Sequence, residues 1–298
     1  MSSAQVTVII PTLCGSKRAM ELIRAIASVH AQEDVVAETL VVVNGDRFEP
    51  TLLEKIRNTT GVTVLMLSTP GISNARLNGR KHVKTPYFLF LDDDDEIYPH
   101  ALKELLGTFD SSSSDIGLVI SDAYNDLRCR NYGFHPSAAE IERDPLGTLL
   151  WQNWLIVQSA LFKTALAPVH LFDIQTASNE CTMIAFNLTL ENIKVKVNEK
   201  VLAVIHDKMD SESKTEHFIT QETEVIQWML AKKVPSKIKM ILRRKLAAAF
   251  HNNSVYFLER GMFRKALVAH IKSLLIPGGD RYALYGRHIF YSFVKSLR

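Results

Sequence analysis

The 298-residue chain is long enough for one large α/β domain, or for a catalytic domain with a smaller appendage. Its 47% hydrophobic and 22% charged content excludes wholesale disorder, and a net charge of +3 gives no reason to expect a nucleic-acid partner. The charge is unevenly spread, with DDDDE in the first half and KIKMILRRK, ERGMFRK and GRHIFYSFVKSLR in the last quarter.

Val6–Ile10 is an apolar, β-branched run before Pro11 and reads as a buried strand. Arg18–Ala31 follows with helical spacing of its apolar residues. Leu40–Val43 returns to a strand pattern, Asn44-Gly45-Asp46 supplies a turn, and Thr51–Asn58 predicts a helix before the strand Val62–Leu67. This order predicts a mainly parallel or mixed sheet flanked by helices. Pro70-Gly71 breaks the chain, and Ser73 is placed to cap a helix reaching His82. Tyr87–Leu91 is the next strand and runs directly into Asp92-Asp93-Asp94-Asp95-Glu96, with a helix expected over Pro99–Phe109. A strand is expected at Ile116–Ile120, irregular chain from Asp122 to Gly147, strands at Ile156–Phe162 and Val201–His206, and a helix near Glu180–Leu190. Helices over Glu216–Lys232, Lys237–Leu258, Met262–Leu274 and Arg281–Ser296 complete the chain. The reading is therefore a catalytic domain over residues 1–215 and a helical extension over 216–298.

Cys14, Cys129 and Cys181 are widely spaced and form no CxxC pair, which fits a reducing, cytoplasmic setting. The first apolar run is too short and too early for a signal peptide, and no uncharged apolar segment is long enough to span a bilayer. The basic C-terminal helices leave peripheral contact with the inner face of a membrane, or with another subunit, as expectations.

Four consecutive aspartates at a strand end repel one another and lose hydration if packed without partners. A divalent cation offsets both effects, and oxygen ligands suit Mg2+ or Mn2+, especially where phosphate oxygens complete the shell. Side-chain alternation sends Asp92 and Asp94 to one crevice and Asp93 elsewhere. The competing reading is an exposed acidic loop.

The segments VTVIIPT (6–12), VVVNGD (41–46), GISNARLNG (71–79) and YFLFLDDDDEIYPHAL (87–102) together resemble the family 2 inverting glycosyltransferases of GT-A fold. The resemblance is sharp over the first hundred residues and weaker to about residue 215. It implies a nucleotide-diphosphate sugar donor, most often UDP-linked, and a saccharide or lipid-linked acceptor, in cell-envelope or polysaccharide biosynthesis. By carry-over, Asp92 and Asp93 belong to the donor site and Asp94 is the principal metal ligand. Pro11 and Thr12 lie beside the nucleoside, Asn44 and Asp46 near the base or ribose, and Arg76 near the diphosphate or braced on Asp92. Val43-Asn44 departs from the acidic pair usual in the family, so Asp46 is either a compensating donor contact or a turn residue.

Inverting transfer requires a base for the acceptor hydroxyl, positive charge for the leaving diphosphate, and alignment of the reacting atoms. The resemblance puts the catalytic base on Glu180, within Ser178-Asn179-Glu180, with helix capping as the plain alternative. His206 is either a metal ligand or a structural histidine. Two other functions stay open from sequence: a metal-dependent nucleotidyltransferase, and a non-catalytic sugar-nucleotide-binding protein.

Overall fold

A computed structural model describes residues 4–133, 137–174, 179–207, 216 and 220–296. The chain divides into two compact units, Met1–Lys208 and Met209–Arg298.

In the first unit, strands β1 (Val6–Thr12), β2 (Ala37–Asn44), β3 (Val62–Leu67) and β4 (Tyr87–Phe90) alternate with helices α1 (Ala19–His30), α2 (Pro50–Arg57) and α3 (Ile72–His82). They form a parallel block in the order β3-β2-β1-β4. Every residue of β1 is buried, which is why its sequence is apolar except for Thr7 and Thr12, whose hydroxyls are hydrogen-bonded. Pro11 does not end the strand; it stays in register opposite Val42. The chain leaves β1 towards β2 and returns through α3 to place β4 on the other side of β1. The strand order thus reverses beside β1, and a crevice opens at the carboxyl ends of β1 and β4.

Local chemistry sets the helix starts. Pro50 opens α2, and the Glu49 carboxylate accepts from the Thr51 and Leu52 amides. Ser73 was expected to cap α3, but the cap is Gly71 at φ 136°, and Ser73 lies buried inside the first turn. Gly79 lets α3 sit directly on the sheet, since a Cβ there would lie 2.5 Å from Ile9 Cγ2.

The sheet continues with β5 (Glu96–Ile97), β6 (Ile116–Asn125), β7 (Arg130–Asn131), β8 (Ala160–Lys163) and β9 (Lys194–Ile205). Its full path is β3-β2-β1-β4-β8-β6-β9-β5, with β7 on β6. Strand β8 is antiparallel to both β4 and β6, so the sheet is mixed beyond β4. The two-residue β5 has no apolar run of its own and was not expected; it pairs with Val204 and Ala203 of β9. Part of the stretch read as irregular is ordered, as β6 runs on to Asn125 and two short helices, α5 (Ala138–Arg143) and α6 (Pro145–Leu149), follow. Helix α4 (Ala101–Asp110) covers one face, and α7 (Glu180–Leu190) matches the predicted span. Phe88, Phe90, Phe162 and Phe172 interlock beneath the β4 end, with ring centroids 4.9 to 6.0 Å apart.

The second unit holds α8 (Glu222–Ala231), α9 (Ser236–Glu259), α10 (Phe263–Leu274) and α11 (Tyr285–Ser296). Gly261, at φ +70°, turns α9 into α10. Residues 217–219 of the helix expected over Glu216–Lys232 lie outside the described residues. No helix among the described residues is long and apolar enough to cross a membrane.

Candidate functional site

Strand β4 carries the buried Phe88, Leu89 and Phe90 to the sheet edge, and the chain passes through the buried Leu91 into the aspartates. Alternation persists past the strand, since Asp93 and Asp95 are buried, whereas the side chains of Asp92 and Asp94 are 30% and 17% exposed. Each buried carboxylate has dedicated partners. Asp93 accepts from the Thr12 hydroxyl (2.6 Å) and the Arg18 guanidinium (2.8 Å), and Arg18 lies 3.2 Å from Asp94 as well. Asp95 accepts from the His206 backbone amide and the Gln158 side-chain amide, both at 2.9 Å.

Arg76 joins this cluster to a distant element. It projects from α3, buried, and donates to Asp92 Oδ1 at 2.5 Å and to Glu180 Oε2 at 2.7 Å. Glu180 opens α7, and its side chain is only 4% exposed. Glu180 Oε1 has no hydrogen-bond partner among the described residues. Gln158 closes the other side of Asp92, donating to Oδ2 at 2.6 Å.

Burial dominates the electrostatics. It pushes the Glu180 carboxyl above the ordinary range, against the Arg76 charge and a Ser73 hydroxyl contact that favour ionisation. Asp95 is pushed well above that range by burial, then by the neighbouring charges of Asp92 and Asp94. Asp93 is raised by burial, with Thr12 and Arg18 opposing. For Arg76, burial works against the charge, but Glu180 and Asp92 outweigh it and raise its pKa. Burial pushes the Cys181 thiol up to about 11, so the sulfur beside Glu180 stays protonated near neutrality.

Two cavities flank the cluster within this unit. One, of about 630 Å³, is lined by the β1–α1 turn (Leu13, Lys17, Arg18), by Arg47 and Phe48, and by Asp93. The other, of about 290 Å³, is lined by Tyr132, Gln152, Trp154, Gln158, Cys181 and Ile205.

The residues singled out from sequence divide into two groups. Asp92, Arg76 and Glu180 form one connected network, which Gln158 extends to Asp95, while Asp93 and Asp94 share Arg18 beside it. Others brace the scaffold. The buried Asn44 amide donates to the Thr12 carbonyl and accepts from the Gly71 amide, both at 3.0 Å, tying β1, β2 and α3 together. The Thr12 hydroxyl holds Asp93 and accepts from the Cys14 amide, and Pro11 is buried in β1. Asp46 is exposed at the turn after β2. His206 meets Asp126 Oδ2 through Nδ1 (2.5 Å) and Glu96 Oε1 through Nε2 (2.7 Å), so both ring nitrogens are engaged. Ser178, beside Glu180 in sequence, lies outside the described residues.

Sequence reading missed two contributors. Gln158 was read only as part of the strand expected at Ile156–Phe162, and Arg18 only as the start of the helix expected over Arg18–Ala31. A cation just past the first strand, followed by a strand-end acid cluster, was the clue to Arg18.

Among the described residues no group of three His, Cys, Asp or Glu side chains is arranged to hold a metal ion by itself. Asp92 and Asp94 still provide the hard oxygen donors that suit Mg2+ or Mn2+. Mg2+ commonly takes only one or two carboxylates and completes its shell with substrate phosphates and water. The donor set therefore fits a cation shared with a diphosphate.

No curated protein matches the chain. Among solved structures, TarS residues 1–349 of S. aureus in complex with UDP-GlcNAc superimposes with a TM-score of 0.62 at 17% identity, covering 91% of this chain and 80% of that one. TarS without ligand gives 0.57, covering 90% and 80%, and TarS with UDP gives 0.55, covering 88% and 75%, both at 17% identity. These likenesses carry the fold. The sequence model described as Glycosyl transferase family 2 matches residues 7–158, more than half the chain, and that span holds all of β1 but Val6, the Asn44 brace, Arg76, the four aspartates and Gln158. With the strand order, the acidic strand end and the family pattern in agreement, the chain belongs to glycosyl transferase family 2 and is a glycosyltransferase.

Proposed function

We propose that the protein transfers a sugar from a nucleoside-diphosphate donor to an acceptor hydroxyl with inversion at the anomeric carbon, with Glu180 as the base. The observation that carries this reading is the Arg76 bridge, in which one buried guanidinium holds Glu180 and Asp92 together at the sheet edge. The bridge fixes the distance and orientation between a carboxylate able to accept a proton and the cluster expected to hold the donor. That UDP-GlcNAc and UDP are bound in the TarS structures supports a donor of this class.

Each residue has a physical task. The cavity beside Arg47, Phe48 and Asp93 lies next to the strand-end cluster, where a nucleoside attached to the diphosphate belongs. Arg18, half exposed between Asp93 and Asp94, is placed to neutralise a phosphate oxygen. Asp94, with Asp92, would hold Mg2+ or Mn2+ against the diphosphate, and the cation would supply charge stabilisation to the leaving group. The acceptor approaches from the Tyr132–Trp154 cavity, whose wall includes Cys181 next to Glu180. An acceptor hydroxyl donating to Glu180 Oε1 would satisfy a buried oxygen that otherwise has no partner among the described residues. Burial raises the basicity of that carboxylate, which helps it take the proton as the new glycosidic bond forms.

A panel of nucleotide sugars, assayed with Mg2+, with Mn2+ and after chelation, tests the reading. Donor turnover with a metal and little after chelation is expected. Turnover unchanged in Asp94→Ala would reject the metal role, and full transfer by Glu180→Gln would reject the base.

A further inference from the structure

Helix α10 in the second unit is arranged opposite to a helix of a soluble bundle. Its buried residues are Ala266, Ala269, His270 and Ser273, small or polar. Leu267, Val268, Ile271, Leu274 and the capping Leu275 are instead 37% to 79% exposed. Positions i, i+1, i+4, i+7 and i+8 fall on one face, so these five form a continuous stripe rather than scattered surface residues. The inner face is fastened by polar contacts to α9: Ser254 Oγ donates to the Ala266 carbonyl at 2.8 Å, and Ser273 Oγ to the Ala247 carbonyl at 2.7 Å. Helix α10 thus packs on α9 without its own large aliphatic side chains, although Leu242 and Leu246 of α9 are buried. Helix α11 adds exposed Phe290, Tyr291 and Phe293, and the Phe263 and Phe293 rings meet edge to face, 5.7 Å apart.

Charge identifies what covers this face. Residues 236–298 contain thirteen Lys or Arg and two Asp or Glu, a net of +11, whereas residues 1–235 contain 22 and 30, a net of −8. Arg264, Lys265 and Lys272 on α10 and Arg287 and Lys295 on α11 are exposed alongside the apolar residues. A second copy would bring two such basic surfaces together, which like-charge repulsion opposes. A nucleic acid would use the cations and have no partner for a five-residue aliphatic stripe. An anionic bilayer matches both features, with aliphatic and aromatic side chains entering the headgroup–acyl boundary and the cations meeting lipid phosphates.

We infer that the α10–α11 face is a peripheral docking surface for anionic lipid bilayers, lying in the interface without crossing it. The inference is independent of the donor and base assignments, which concern the other unit.

Flotation of the full chain with vesicles of phosphatidylcholine alone, or mixed with phosphatidylglycerol, tests it. Expected is binding to the mixed vesicles, about tenfold or more tighter than to neutral ones and weakened by salt. Leu267→Glu, Ile271→Glu and Leu275→Glu combined should abolish flotation. Combined Arg264→Gln, Lys265→Gln and Lys272→Gln should weaken it and flatten the salt dependence, a control that leaves the stripe intact. Far-UV circular dichroism and donor turnover should be unchanged in both variants. No flotation of the intact chain with anionic vesicles, or equal flotation of the stripe variant, would overturn the inference. So would an intact chain that self-associates in sedimentation, ignores vesicles and becomes monomeric in the stripe variant, because a second copy would then cover the face.

Discussion

In the first unit Phe88, Phe90, Phe162 and Phe172 are fully buried beneath a cluster of carboxylates, whereas in the helical second unit Leu267, Ile271, Leu275 and Tyr291 are exposed and Ala266, Ala269 and Ser273 are buried. The first unit places its apolar mass inside, and that mass makes it possible to hold Arg76, Glu180, Asp93 and Asp95 in a nearly dry site. The Arg76 guanidinium even lies 5.9 Å from the Phe90 ring centre. In the second unit α10 keeps its large aliphatic side chains outside and joins α9 through small residues and hydroxyls, while Leu242, Leu246 and Ile289 are buried. Burial of charge at a strand end indicates chemistry, while exposure of aliphatic side chains on a basic helix indicates a surface to be met.

The contrast can be broken most sharply at Glu180. Glu180→Gln is expected to lower transfer by about 10²- to 10⁴-fold, the usual contribution of a general base, while donor binding measured by calorimetry persists. For the intact enzyme the rate should fall towards acid pH with a midpoint above the ordinary carboxylate range, because the base must be ionised and its pKa is raised. A midpoint within or below that range would remove Glu180 from the role.

Next in size is Arg76→Met, which leaves Glu180 without its buried counter-charge. It should cost about 3–5 kcal/mol in urea unfolding, the scale for breaking one side of a buried pair. A loss below about 1 kcal/mol would show the bridge to be dispensable for the fold.

Asn44→Ala separates scaffold from recognition. If the amide serves chiefly to tie Thr12 to Gly71, stability should fall by about 1–3 kcal/mol, with base preference across UDP and other nucleotide donors unchanged. A change in base preference at full stability would return Asn44 to the donor site.

The pH dependence of stability sharpens the same contrast. Glu180 has a folded-state pKa raised above its unfolded value, so the stability it contributes is full at low pH and is lost as pH rises through the raised value. Glu180→Gln lacks this loss. Its stability relative to the parent should therefore improve between the ordinary carboxylate range and neutrality, and a flat difference across that window would contradict the assigned shift.

The smallest effect is expected in the helical unit. Leu267→Glu, Ile271→Glu and Leu275→Glu lie on exposed positions and should each change the unfolding free energy in solution by within about 0.5 kcal/mol. A large loss would mean that the stripe is packed.

The sequence by itself determined the alternation of strands and helices through β4, the release of an apolar strand into Asp92–Asp95, and the start of α7 at Glu180. These follow from short-range periodicity, proline and glycine placement and a local charge cluster. Tertiary structure decided the partners. Arg76 reaches Glu180 across 104 positions, Gln158 reaches Asp92 across 66, and His206 turns to Asp126 and Glu96 across 80 and 110. Whether Asn44 and Thr12 face a ligand or brace the strands was equally hidden, because an amide or hydroxyl reads alike in either setting. The same holds for α10: periodicity shows that a helix has two faces, but only packing decides which one is covered. Strand order and helix docking set these long-range distances, and neither is encoded in the spacing of neighbouring residues.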